Sequence, residues 1–140
     1  MPSIVTSEAT EKALRELLAN EGYVLSEIRA YGETGTDILA RKGGEKICIE
    51  VIGYKKSPPA RAKDFFESFF RAISRIKDGP GNCVIALPSQ FRVGLPARAK
   101  QYGEAWTRIG NAFPELEIWL IDTQARSRTL TRWNDWLSKD

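Results

Sequence analysis

The chain contains no histidine. That absence excludes Ser-His and Cys-His nucleophilic triads and every imidazole-bound metal site, so any catalysis must use carboxylates, Lys, Tyr, Ser or a hard cation. Cysteine is nearly as scarce. Cys48 and Cys83 are distant in sequence and each sits inside an apolar run, so they form neither a zinc-ligand pair nor a redox motif and read as small buried hydrophobes. Long hydrophobic runs are also missing: Cys83 to Leu87 and Glu117 to Ile121 are far shorter than a membrane span, and Met1 to Ala9 lacks the basic-then-apolar layout of a signal peptide. These absences predict a cytoplasmic protein without a membrane partner. There is no internal repeat, linker or low-complexity segment, and the formal charge of +3 is too modest to announce a nucleic-acid binder by itself.

What is present fits one domain spanning residues 1–140, since 42% hydrophobic and 28% charged residues over this length supply a single core without disulfides. Thr6 or Ser7 can cap a helix running to about Asn20, with Glu8 and Glu11 near its positive end and Leu14, Leu17 and Leu18 as its buried stripe; Gly22 closes it. Three extended stretches follow, Tyr23 to Tyr31, Thr36 to Arg41 and Glu45 to Ile52, and should form an antiparallel meander. Ser57-Pro58-Pro59 opens a second helix, in which Phe65, Phe66, Phe69, Phe70, Ile73 and Ile76 recur at helical spacing and are expected in the core. Asn82 to Leu87 and Leu116 to Asp122 read as buried strands, with a helix over Pro96 to Ala112 between them. The order αβββαβαβ describes an α/β fold with a mixed central sheet flanked by helices.

The turn Lys42-Gly43-Gly44-Glu45 suits a two-residue hairpin needing positive φ. With the turn centred between the glycines, opposed residues have numbers adding to 87, which sets Asp37 across from Glu50 with β-carbons roughly 5 Å apart. Like charges so placed destabilise a hairpin unless a cation lies between them. Mg²⁺ or Mn²⁺ suits such oxygen donors, together with waters and phosphate oxygens. Glu50 is also the odd residue in the apolar run Ile47-Cys48-Ile49-Glu50-Val51-Ile52. Two other readings compete: a one-residue slip of the hairpin, or Asp37 capping a turn while Glu50 meets a basic side chain.

The segments Gly35-Thr36-Asp37-Ile38-Leu39-Ala40 and Ile47-Cys48-Ile49-Glu50-Val51-Ile52-Gly53-Tyr54-Lys55, set in this order of elements, resemble the PD-(D/E)XK nuclease superfamily over nearly the whole chain. The resemblance implies a restriction-endonuclease-like core and a carboxylate pair that binds Mg²⁺ for water attack on a phosphodiester of DNA or RNA. It breaks at one place: the lysine expected two residues after Glu50 is Ile52. Lys55 or Lys63 could supply the charge from a neighbouring position, whereas Lys46, four residues before Glu50, lies roughly 13 Å away at strand rise. Glu11 can border the buried face of the first helix and join the metal as some family members' first-helix acids do, or serve only as an acid near a helix N-terminus.

Arg71 and Arg75 share a helix face, Arg92, Arg98 and Lys100 cluster after the fourth strand, and Arg126, Arg128 and Arg132 recur near Trp133 and Trp136. Such residues could grip phosphates, with an aromatic for stacking, or form a solvated face balanced by Asp64, Glu67 and Glu104. Three functions follow: a metal-dependent nuclease using Asp37, Glu50 and Lys55; a catalytically inactive nucleic-acid-binding module of the same fold; or an assembly subunit with exposed Trp133 and Trp136 as its interface. A homodimer would let a small domain cover more of a duplex.

Overall fold

The computed structural model describes residues 4–28 and 36–137. Among them, helix α1 (Ser7–Asn20) precedes the strands β1 (Val24–Leu25), β2 (Ile38–Lys42) and β3 (Glu45–Val51), followed by helix α2 (Pro58–Ser74) and strand β4 (Asn82–Pro88). Helices α3 (Leu95–Tyr102) and α4 (Glu104–Ala112) then lead to β5 (Leu116–Asp122) and β6 (Ser127–Arg132). The strands form one six-stranded mixed sheet in the order β1-β2-β3-β4-β5-β6. No helix among the described residues is long and apolar enough to cross a membrane.

Local chemistry explains the boundaries. The Thr6 hydroxyl accepts the Ala9 N–H at 3.0 Å to start α1, and the Ser57 hydroxyl takes the Ala60 N–H at 3.4 Å ahead of the two prolines that open α2. Of the two hairpin glycines only Gly43 adopts positive φ (60°), as a type II′ turn demands of its first central residue. The resulting ladder pairs Lys42 with Glu45 and continues to Ile38 opposite Ile49, so the counted register is the observed one.

Strands β3, β4 and β5 are parallel to one another, and helices cover both of their faces, which is why their sequences read as continuous apolar runs. Both crossovers step in the same direction across the sheet. The common hand of such connections therefore places α2 and the α3–α4 pair on one face, where Phe65 and Trp106 pack with Ile52, Ile85 and Ile118. The other face is left to α1, whose Leu14 and Leu18 pack on Ile38, Ile49, Val84 and Trp119.

Several expectations need correction. Within the described residues the first strand is only Val24–Leu25, and residues 29–31 of the expected stretch lie outside them. The helix expected over Pro96 to Ala112 is two helices, because Gly103 takes φ 48° and its N–H caps the Ala99 carbonyl at 2.9 Å. Strand β6 was not foreseen: as a polar edge strand paired on one side only, it shows no apolar alternation. The phenylalanine stripe is not wholly core. Phe65 is buried, but Phe66 and Phe70 are 41% and 70% exposed, because adjacent residues on a helix point about 100° apart and only one of each Phe-Phe pair can face the sheet.

Trp133 and Trp136 are likewise buried rather than exposed, which removes them as an interface. Trp133 stacks on Trp106 with centroids 3.9 Å apart, and each indole N–H donates to the other residue's carbonyl at 2.9 Å. The Trp136 indole donates to the Thr131 hydroxyl at 2.8 Å. Together these bonds fasten the chain after β6 to α4. Trp133→Ala should lower stability by about 3–5 kcal/mol through the cavity and the lost hydrogen bonds, read as a fall in the urea midpoint.

Cys48 and Cys83 are buried, and the β3–β4 register sets them side by side. Burial pushes the Cys83 thiol up to about 11. In the unfolded chain that thiol ionises near its ordinary value, so between roughly pH 9 and 11 the unfolded state holds fewer protons and stability must fall as pH rises. Urea midpoints at pH 8 and 10.5 should therefore drop further for wild type than for Cys83→Ala.

Candidate metal centre

Asp37 lies in the bend immediately before β2, and the observed register, extended by one step, brings it opposite Glu50. Strand alternation puts both on the face of the sheet that also carries Ile52, the face covered by α2. Glu50 is 2% exposed in the middle of an apolar strand. The carboxylate of Asp37 acts as the last rung of the ladder: its Oδ2 accepts the Val51 N–H at 2.8 Å, where a main-chain carbonyl would otherwise serve. The Thr36 hydroxyl lies 3.0 Å from Glu50 Oε2 and 3.1 Å from the Ile49 carbonyl, and its single proton serves one of them at a time.

Glu11 is placed differently. It sits on α1, which packs on the opposite face of the sheet, and its Oε2 accepts from Arg15 Nε at 2.7 Å. Arg15 in turn donates to the carbonyls of Ser26 at 2.5 Å and Asp37 at 3.1 Å. Glu11 therefore orients an arginine that holds the main chain at Asp37. The i,i+4 spacing of Glu11 and Arg15 was the signal for this pair in the sequence. Among the described residues no three Cys, Asp or Glu side chains gather as a metal-holding group.

Ile52 is buried with Phe65 in the core, so the strand position that carries lysine in the resembled family is filled by packing. Lys55 is 60% exposed and ion-paired with Asp64 at 3.1 Å. Both line a cleft of about 340 Å³ with Val5, Thr6, Glu8 and Gly53, beside the start of α1. Gly53 is required there: a Cβ would lie 2.4 Å from the Val5 carbonyl oxygen, against which the chain passes in the Val5–Tyr54 bridge. Sequence reasoning treated Asp64 only as a balancing charge, because nothing local to it announces a partner nine residues earlier. Lys63 is exposed on α2, and Lys46 donates to the Asp78 carbonyl at 3.0 Å.

The basic residues do not act as one set. Arg75 pairs with Asp78 at 3.5 Å and Arg92 reaches the Thr129 hydroxyl at 3.3 Å. Arg98 lies over the rings of Phe65 and Phe66, while Arg71 and Lys100 are exposed on α2 and α3. Arg126 and Arg128 pair with Glu16 and Glu21 of the α1 segment, and Arg128 also covers the Trp119 ring at 4.4 Å, so they fasten the β5–β6 hairpin to α1. No family model, curated protein or solved structure matches this chain.

The ladder-capping role of Asp37 separates its shape from its charge. Asp37→Asn keeps an oxygen acceptor for the buried Val51 N–H and should leave the urea midpoint close to that of wild type. Asp37→Ala strands that donor and should cost about 1–3 kcal/mol in the same titration.

Proposed function

We propose that the chain is a restriction-endonuclease-like phosphodiesterase that takes Mg²⁺ or Mn²⁺ at Asp37 and Glu50 and cleaves DNA or RNA. The observation that carries this reading is the β2–β3 register, which sets two carboxylates on one face at the end of the hairpin. The order α1-β1-β2-β3-α2-β4 supports it, being the order of the superfamily core that the Asp37 and Glu50 segments resemble. The donors fit a hard divalent cation, which needs only one or two protein carboxylates beside waters and phosphate oxygens. Glu11 does not belong to the set, because α1 and Arg15 hold it elsewhere.

When bound, the cation would supply Lewis-acid activation of water and neutralise charge on the phosphate. The remaining work falls to the chain. The Val51 N–H fixes the Asp37 carboxylate, and the Thr36 hydroxyl orients that of Glu50. Arg15 holds the Asp37 main chain from behind. Lys55, if it exchanges Asp64 for a phosphate oxygen, would be the third member.

The second reading, a nuclease-shaped module without turnover, is favoured by one observation: Ile52 is buried in the core, and the strand offers no lysine to the carboxylates. Calorimetry with Mg²⁺ and Mn²⁺ on wild type, Asp37→Asn and Glu50→Gln, beside cleavage assays on single-stranded, duplex and branched DNA, separates the two. The nuclease reading requires metal binding and metal-dependent cutting by wild type and at least a 100-fold loss of cutting in either variant. Metal binding without cutting leaves the inactive module, and no metal binding at all overturns the site.

A further inference from the structure

The outward side of α2 is unlike a solvated helix face. Phe66 and Phe70, one turn apart, are 41% and 70% exposed, and Tyr102 at the end of α3 is 42% exposed. Tyr102 meets Phe66 edge to face with centroids 5.9 Å apart, and the Arg98 guanidinium lies 5.4 Å from the Phe66 ring centre. Behind these rings a shallow apolar groove of about 150 Å³ opens between α2 and α4, floored by Phe65, Phe69, Trp106 and Trp133. Lys63, one turn before Phe66, is exposed on the same side of α2, as is Glu67, and Arg98 brings a second cation to the rings.

We propose that this surface is a stacking platform for unpaired nucleotides, so that the substrate class of the proposed nuclease is single-stranded nucleic acid or a structure with an unpaired strand. The inference rests on that reading for the choice of a nucleic acid, but its residues are distinct from Asp37 and Glu50. Exposed rings beside cations match the two repeating elements of a nucleic-acid strand: bases stack on the rings, and phosphates meet Lys63 and Arg98. A duplex offers its bases to one another, and these rings lie on a helix side rather than in a wedge, so only unpaired bases can lie on them. Lysine is depleted at the centre of protein–protein interfaces, and Lys63, one turn before Phe66, therefore favours a polyanion over a protein partner.

The test is fluorescence anisotropy of a labelled 15-nucleotide oligo-dT, alone and annealed to oligo-dA, in EDTA so that binding is read without cleavage. Wild type should prefer the single strand. Phe70→Ala and Phe66→Ala should each weaken its binding about ten-fold or more, the size of one lost base stack, while keeping the thermal melt of wild type. Lys63→Ala should lower the slope of log affinity against log salt by about one for a single lost phosphate contact, whatever the sequence. Unchanged single-strand binding by folded Phe70→Ala, or a preference for duplex, overturns the platform. So does sedimentation showing a wild-type dimer that Phe70→Ala dissociates, since a second copy would then cover the patch. Metal binding and cutting by wild type, set beside the effect of Phe70→Ala, distinguish the two failures. Phe70-dependent binding in a protein that neither binds metal nor cuts leaves the platform standing and removes the nuclease, whereas metal-dependent cutting with Phe70-independent binding does the reverse.

Discussion

The pairing of β2 with β3 is the constraint on which the carboxylate end of the molecule depends. A side chain in a strand has only two directions, so a slip of one residue would send Glu50 to the α1 face and Ile49 to the α2 face. The Gly43 turn, with its positive φ, and the apolar residues Ile38, Ala40, Ile47 and Ile49 on the α1 face fix the same register independently. Agreement between turn chemistry and hydrophobic pattern leaves Asp37 and Glu50 no other placement.

That placement buries the Glu50 carboxylate and half-buries that of Asp37, and the neighbouring main chain and hydroxyl groups compensate for it. A carboxylate removed from water needs donors close at hand, and here a strand N–H and a threonine hydroxyl provide them. The chain Glu11–Arg15–Asp37 carbonyl reaches the same bend from the helix on the opposite face. A single short segment, Thr36 to Asp37, is thereby gripped from β3 and from α1.

On the other side of the sheet the organising contact is the Trp106–Trp133 pair, whose reciprocal indole-to-carbonyl bonds join the last helix of the crossover to the chain after β6. With those tryptophans buried and the Phe65 ring stacked near them, the exposed aromatic rings among the described residues are those of Phe66, Phe70 and Tyr102. Arg98 spans the boundary between the buried rings and the exposed ones.

Elements whose signals are local were legible in the order of residues alone: the capped starts of α1 and α2, the buried strands β4 and β5, and the hairpin register that, extended one step, brings Asp37 opposite Glu50. Each depends on residues within a few positions, through caps, turn dihedrals or side-chain periodicity, and these are legible without the fold. The polar edge strand β6, the break at Gly103 and the burial of Trp133 lacked such a signal. Packing of the whole chain was needed to show that Glu11 serves Arg15, that Lys55 meets Asp64, that Arg126 and Arg128 hold α1, and that Phe66 and Phe70 face outward. Those outcomes depend on which faces pack together across long separations in the chain, and charge or aromaticity read along the sequence carries no record of the partner brought in by packing.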